Sequence, residues 1–158
     1  MHNGIHTVKQ VETLAIAASG DEIRRASEWL TTALRQRDVP DPQVACLELA
    51  LHEVLANVLA HGGSAARAEP IHIRIEVRKK ATTGEARVKV RDAGIPFDPT
   101  GAPERTPAKT LDEVQPGGLG LPLIRHCSDW MSYRREGGRN HFMFGARWPK
   151  PLKLPSLT

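Results

Sequence analysis

The positions of apolar and polar residues between 19 and 42 predict an α-helix near the start of the chain. Ser19 and Asp21 are favourable N-cap residues, and the apolar residues after them recur at helical spacing: Ile23, Ala26, Leu30, Ala33 and Leu34. Pro40 and Pro42 end this helix and begin the next one.

A second helix is predicted over about 41–61. We expect it to stop at Gly62 and Gly63, because glycine readily adopts the left-handed conformation that caps helices. A polar loop is expected to follow and to lead into the segment 71–79.

A period of two residues, which is typical of half-buried strands, appears in several later segments. Ile71, Ile73, Ile75 and Val77 alternate with His72, Arg74, Glu76 and Arg78. In the next segment Val88 and Val90 alternate with Arg87, Lys89 and Arg91. A first strand is expected within 5–17, and two last strands at about 130–136 and 140–148, on either side of a Gly137-Gly138 turn.

The segments between and after these elements complete the predicted architecture. A proline-rich stretch at about 98–117 has no periodicity and is expected to form a lid, and a glycine loop then enters another short helix. The order β, α, α, β, β, lid, α, β, β predicts an α/β two-layer sandwich, with a mixed, mostly antiparallel sheet and helices on one face. We expect a single domain over 1–150 and a flexible tail over 151–158.

Composition narrows the class of protein. The chain has 158 residues, 40% of them hydrophobic and 25% charged, and a formal charge of only +4 without an aromatic-basic pattern, so direct nucleic-acid binding is disfavoured. No apolar run approaches the roughly 20 residues of a membrane span, and no signal peptide is evident, so we expect a cytoplasmic protein. Cys46 and Cys127 lie in apolar helical patterns and are expected to be reduced. The spacing of His52 and His61 does not indicate a metal site.

Two polar residues interrupt the apolar second helix. Glu53 and Asn57 are four residues apart, so at about 100° per residue their side chains project side by side, about 40° apart. Small residues surround them: Cys46, Ala50 and Ala60. The pair could cap or form an ion pair at the helix surface, or it could hold a metal or a hydroxyl group.

A carboxylate ends the strand that contains Val88 and Val90. By alternation Asp92 faces the core side, where an ionised carboxylate costs several kcal/mol, roughly, unless it finds donors. Asp92 could cap its own turn, whose Gly94 permits close backbone approach. Alternatively, it could accept a hydrogen bond from the amino group of a ligand in an apolar pocket.

A third feature of possible functional importance is the glycine loop before the last helix. Gly117, Gly118 and Gly120 precede a helix start, where backbone N–H groups form a natural anion site, although a flexible hinge would explain the same glycines. An amino-group acceptor, an anion-binding helix start and an acid–amide pair together describe a nucleotide site.

These motifs, in this order, resemble the N, G1 and G2 boxes of the GHKL ATPase superfamily. The boxes read H-E53-x-x-x-N57, D92-x-G94-x-P-F-D-P and G-G118-x-G120-L-x-L-I-R, over about 46–128. The whole chain resembles the small anti-sigma-factor serine/threonine kinases of that superfamily, which implies a Bergerat-type ATP-binding fold.

The resemblance implies a role for each matched residue. Asn57 would ligate the Mg²⁺ that bridges the ATP phosphates, and Glu53 would be the general base for, or would orient, the attacking hydroxyl. Asp92 would accept the adenine amino group, and Gly94 would let the ring approach the backbone. Backbone N–H groups would contact the phosphates at Gly118, Gly120 and Leu121. Charge and position alone make Arg105 and Lys109 possible phosphate contacts.

One position departs from the superfamily pattern. Gly-Thr is usual near the last turn, and here the chain has Gly137, Gly138, Arg139 and Asn140. Asn140 or Arg139 must then replace the threonine hydroxyl that helps Asp92 hold adenine.

Two functions fit the resemblance. The first is an ATP- and Mg²⁺-dependent serine/threonine kinase that phosphorylates a STAS-type antagonist protein and sequesters a sigma factor or related output partner. The second is a binding module in which ATP sets partner affinity with little or no transfer. A homodimer is possible, and neither nucleic acid nor membrane is expected as a partner.

Overall fold

A computed structural model describes residues 7–81, 83–101 and 120–149 of the chain. Nine elements follow one another in these residues: β1 (Val8–Ile16), α1 (Gly20–Gln36), α2 (Asp41–His61), α3 (Gly63–Ala68), β2 (Ile71–Lys79), β3 (Thr83–Asp92), α4 (Gly120–Cys127), β4 (Trp130–Glu136) and β5 (Arg139–Pro149). Most of the expected lid (102–117) and the expected tail (151–158) lie outside the described residues.

The strands form one five-stranded sheet in the order β1-β2-β3-β5-β4. The predicted class, an α/β two-layer sandwich, is confirmed. The sheet is more regular than expected, because all its described pairings are antiparallel, whereas a mixed sheet was predicted. The connection from β1 to β2, which contains α1, α2 and α3, returns the chain in the opposite direction, and β5 lies between β3 and β4. Neither connection produces the parallel neighbours of a β–α–β crossover.

The core lies between one face of the sheet and the helices. The predicted alternation of β2 is confirmed, since Ile71, Ile73, Ile75 and Val77 are all buried. They pack with the buried faces of α1 and α2, which contribute Leu30, Leu34, Leu47, Leu51 and Leu55. Burying each such side chain stabilises the fold by about 1.5–3 kcal/mol before the cost in conformational entropy. The packing of the sheet against α2 therefore fixes the positions of residues at the edges of both.

The ends of the long helices follow the sequence closely. The side chain of Ser19 accepts a hydrogen bond from the backbone N–H of Glu22 at 3.3 Å, and Pro40 is the N-cap of α2. Gly62 is in the right-handed helical region, and the left-handed glycine is Gly63, with φ 73°. The polar loop expected after Gly63 was wrong in part, because residues 63–68 form the short helix α3. A helix of six residues is too short to show a clear apolar period.

The sheet face that points away from the helices carries mostly charged residues. Glu76 of β2 is only 6% exposed there and forms ion pairs with Lys9 at 2.9 Å and with Arg78 at 3.1 Å. Burial raises the pKa of the Glu76 carboxyl, but the hydrogen bond from Lys9 and the nearby charges of Arg78 and Lys9 outweigh burial and hold the pKa below 4.5. This carboxylate neutralises part of a strongly basic surface.

Helix α2 is, by length and composition alone, long and apolar enough to cross a membrane, contrary to the expectation that no apolar run comes close. The central helix of a soluble protein meets the same criterion, and Leu47, Leu51 and Leu55 of α2 are buried in the core. Both cysteines are free, as expected: Cys46 is partly buried in α2, and Cys127 is buried at the end of α4.

Candidate functional site

A pocket opens between α2 and the ends of β3 and β5. Most of its lining is apolar, and the polar groups that reach it include Asn57 and His61 from α2, Asp92 from β3 and Asn140 from β5. The pocket has a volume of ≈ 40 Å³ and is partly open to solvent.

Asp92 is the last residue of β3 and is 6% exposed. Its Oδ1 atom accepts hydrogen bonds from the backbone N–H of Gly94 at 2.8 Å and from Nδ2 of Asn140 at 3.1 Å. The carboxylate therefore does cap its own turn, as one of the two interpretations of the sequence required. Within the described residues this capping uses Oδ1 alone, so Oδ2 has capacity to accept a further donor.

Asn140 of β5 is paired in register with Asp92 of β3, and it is 5% exposed. Nδ2 of Asn140 also donates to the carbonyl oxygen of Ile95 at 2.8 Å. Oδ1 of Asn140 accepts from the hydroxyl of Tyr133 at 2.6 Å and from Nη1 of Arg135 at 3.0 Å. Of the two residues considered for the missing threonine, Asn140 therefore contacts Asp92.

Arg139, the other residue considered, lies elsewhere. Its guanidinium forms an ion pair with Glu69, which follows α3, at the protein surface. The turn before it, Gly137-Gly138, has φ of 59° and 71°, as expected for a two-residue hairpin turn. The pairing of β5 with β3, in which Asp92 is opposite Asn140, places Asn140, and not Arg139, beside Asp92.

Gly94 lies where two segments of backbone come close together. A Cβ atom at this position would be 2.9 Å from Cα of Gly62 and 2.8 Å from Oδ1 of Asp92. The adjacent Ile95 donates its backbone N–H to the carbonyl oxygen of Gly62 at 3.1 Å. The close approach predicted for Gly94 is present, and it joins the end of α2 to the turn after β3.

Glu53 and Asn57 lie under the start of α4. A Cβ atom on Gly120, the first residue of α4, would be 2.8 Å from Oε2 of Glu53 and 3.5 Å from Nδ2 of Asn57. Asn57 is 7% exposed, and neither side chain makes a hydrogen bond or ion pair with any residue that the structure describes. The surface cap or ion pair considered for this pair is therefore not seen in the described residues.

The remaining predicted site residues divide into two groups. Leu121, in the first turn of α4, packs its side chain against the core, and its predicted role concerns only its backbone N–H. Gly117 and Gly118 lie outside the described residues, as do Arg105 and Lys109. The structure thus brings together Glu53, Asn57 and Gly120 at one end, and Asp92, Gly94 and Asn140 at the other.

Some residues at the site were not predicted. His61 stacks on Phe97 at the rim of the pocket, with ring centroids 6.3 Å apart. Tyr133 and Arg135 reach Asn140 from β4. The contact of Arg135 could have been found in the sequence, because a two-residue turn at 137–138 pairs residue 135 with residue 140.

The donor atoms of the site fit a magnesium–nucleotide complex better than a resident metal. Among the described residues no group of three or more His, Cys, Asp or Glu side chains could hold a metal ion. Mg²⁺ usually keeps several waters and takes few protein ligands beside the phosphates of its substrate. The amide oxygen of Asn57, next to Glu53 and to the start of a helix, has the chemistry of a single ligand of that kind.

Comparison with known proteins agrees with this geometry. The family model described as "Histidine kinase-like ATPase domain" matches residues 16–144. The chain is 32% identical over 133 residues to the serine/threonine-protein kinase BtrW of Bordetella bronchiseptica, covering 84% of this chain and 90% of that protein.

A solved structure shares the fold. The crystal structure of the RsbU and RsbW domains of Rv1364c from Mycobacterium tuberculosis superimposes with a TM-score of 0.63 at 15% identity. The match covers 93% of this chain but only 35% of the crystallised one, so the chain spans about a third of that protein.

Proposed function

The chain belongs to the family of histidine kinase-like ATPase domains, and from this premise we propose that it is an ATP- and Mg²⁺-dependent serine/threonine protein kinase of the anti-sigma type. It phosphorylates a STAS-type antagonist protein and sequesters a sigma factor or related output partner in the cytoplasm. The curated relative named a serine/threonine-protein kinase supports the reaction class.

The observation that carries this proposal is the position of Glu53. Its carboxylate lies beside Asn57 and against Gly120, at the start of a helix. The first backbone N–H groups of a helix are free to bind an anion, so a terminal phosphate held there would lie next to the carboxylate. Glu53 can then accept the proton of a serine or threonine hydroxyl, or orient that hydroxyl, as it attacks the phosphate.

The opposite end of the site supports adenine as the base. Oδ2 of Asp92 has acceptor capacity to spare in a largely apolar pocket, which suits a ring with one exocyclic amino group. Gly94 keeps the turn beside it free of a side chain, so that a flat ring can approach the backbone. Gly118 and Leu121 would add backbone N–H groups at the phosphates.

Magnesium fits the phosphate end. When bound, it would neutralise charge on the phosphates, and Asn57 would hold it through its amide oxygen. The protein's own contribution is to keep Glu53, Asn57 and the start of α4 in fixed relative positions, which lowers the barrier by positioning the reacting groups.

Phosphoryl transfer to a partner protein tests the proposal. The purified protein is incubated with Mg²⁺, ATP labelled on its terminal phosphate, and a STAS-domain protein from the same organism. We expect label on a serine or threonine of the STAS protein. We expect Glu53→Gln to abolish labelling while ATP binding is retained.

Glu48→Gln is the matched control, because Glu48 lies on the same helix and forms no ion pair among the described residues. Its labelling should equal that of the wild type. A wild-type protein that binds ATP and its partner but transfers no phosphate would instead be a nucleotide-regulated binding module, and the kinase proposal would fail. The same samples, run on a sizing column, show whether the protein is a homodimer.

A further inference from the structure

The carboxamide of Asn140 has no hydrogen-bonding capacity left for a ligand. A carboxamide offers two donor hydrogens and two acceptor lone pairs. The donors reach Oδ1 of Asp92 at 3.1 Å and the carbonyl oxygen of Ile95 at 2.8 Å. The acceptor receives the Tyr133 hydroxyl at 2.6 Å and Nη1 of Arg135 at 3.0 Å. Asn140 is therefore placed to hold other groups and not to contact a base.

The two partners on β4 face the oxygen of the Asn140 carboxamide, together with the backbone N–H of Phe97 at 3.4 Å, and so help to determine which way the carboxamide points. A guanidinium can only donate, so the oxygen of Asn140, and not its amino group, must face Arg135. With the oxygen facing β4, the amino group faces Asp92 and donates to its Oδ1. In the opposite orientation two donors would face each other at Arg135, and two acceptors would face each other at Asp92.

Arg135 also acts on the turn after β3. The same Nη1 atom donates to the carbonyl oxygen of Gly94 at 2.7 Å. On its other side, this turn is held by the backbone hydrogen bond from Ile95 to Gly62. The turn is thus fixed between the edge strand β4 and the end of α2.

We propose that Tyr133 and Arg135 are positioning residues for base recognition. They orient Asn140, which occupies Oδ1 of Asp92 and leaves Oδ2 to accept the exocyclic amino group of the base. This inference rests on the proposed function. It assigns adenine selectivity to a chain of hydrogen bonds from β4 through Asn140 to Asp92. In this chain Asn140 takes the place of the superfamily threonine.

Two triphosphates distinguish positioning from a general structural role. ATP carries the exocyclic amino group, and purine riboside triphosphate has hydrogen in its place. The binding of each is measured by calorimetry with the wild type, Tyr133→Phe and Arg135→Gln. We expect Tyr133→Phe, which loses one hydrogen bond, to bind ATP about three- to tenfold more weakly and the analogue as the wild type does. Arg135→Gln also loses the contact with Gly94, so we expect it to weaken the binding of both triphosphates, and that of ATP more.

Controls come from the same strand. Ser132→Ala and Arg134→Gln alter β4 residues that are paired in register with Met143 and His141, on the charged face of the sheet. Both should leave the ratio of ATP to analogue affinity unchanged. Arg135→Lys keeps a long, charged donor, whereas glutamine is shorter and neutral, so Arg135→Lys should restore part of that ratio. If Arg135→Gln does not fold, Tyr133→Phe, which removes a single hydroxyl group, decides the test.

Two results overturn the inference. One is an equal loss of affinity for both triphosphates, which would mean that β4 only supports the fold. The other is unchanged ATP affinity in Tyr133→Phe and Arg135→Gln. A wild-type protein that binds neither triphosphate would instead refute the proposed function, so the two failures are distinct.

Discussion

Gly120, at the start of α4, lies directly against the carboxylate of Glu53 in α2. A Cβ atom at position 120 would be 2.8 Å from Oε2 of Glu53, closer than real Cβ contacts, and 3.6 Å from Oδ1 of Asn57. The absence of a side chain at this residue is what allows the two helices to bring a helix start and an acid–amide pair together.

Gly120→Ala should therefore impair phosphoryl transfer while leaving the fold intact. The added methyl group meets the far end of a flexible side chain, so Glu53 moves and the helices stay in place. A displacement of about 1 Å in a positioned group costs on the order of a hundredfold in rate, and we expect a loss of ten- to a hundredfold. Labelling of the STAS protein measures it. Gly20→Ala is the control, since a Cβ atom there meets nothing within 4 Å, and equal rates in both variants would contradict the prediction.

Gly94→Ala should lower stability as well as nucleotide affinity. Here the methyl group meets the backbone of Gly62, at 2.9 Å from Cα and 3.1 Å from the carbonyl oxygen, and the backbone cannot move aside cheaply. We expect a loss of about 1–3 kcal/mol in the free energy of unfolding, measured by urea denaturation. Unchanged stability would show that α2 and the turn after β3 separate easily.

Acidification should reduce stability through Glu76. Its pKa in the folded protein is held below 4.5, so the unfolded chain binds the proton more readily. The stabilisation is present above pH 4.5 and is lost as the pH falls through the folded pKa. Glu76→Gln should be less stable than the wild type near neutral pH, because four basic side chains lose their acidic partner: Lys9, Arg74, Arg78 and Arg87.

The difference in unfolding free energy between Glu76→Gln and the wild type should shrink below pH 4.5, when measured by urea denaturation across a pH series. Glu136→Gln is the comparison, because Glu136 is an exposed partner of Arg134. A difference that stays constant from neutral to acidic pH would show that packing, and not charge, determines the effect.

Cys127 should resist alkylation in the folded protein. Burial, together with the neighbouring Cys46 thiol, raises the pKa of Cys127 to about 11, and the protonated thiol is a poor nucleophile. With iodoacetamide at pH 8, peptide mass spectrometry should find Cys46 modified first and Cys127 modified only after denaturant is added. Equal rates for the two cysteines in the native protein would contradict this.

The sequence was most informative where a single element decides the geometry. The alternation of β3 predicted that Asp92 faces inward, and helical angles predicted that Glu53 and Asn57 are neighbours. Each prediction needed only the period of one strand or helix. The structure agrees with both, since Asp92 is buried and Gly120 adjoins both α2 residues.

The contacts that could not be predicted depend on how helices and strands pack against one another. The choice between Arg139 and Asn140 depends on the register between β3 and β5, which are far apart in the sequence. The contact of Tyr133 depends on how far its side chain reaches toward β5. The packing of Gly120 on Glu53 depends on where α4 lies relative to α2. None of these contacts between elements produces a periodic pattern in the sequence.

The rigidity of α2 has a consequence for what happens after the reaction. Glu53 and Gly62 are nine residues apart on this helix, so about 13 Å of fixed length separates the reacting end of the site from the base end. On the proposed function, we expect a triphosphate to span this length, whereas the diphosphate product lacks the phosphate nearest Glu53. The product would keep its base contact at Asp92, so the release of the product would depend on the end of the site opposite the chemistry.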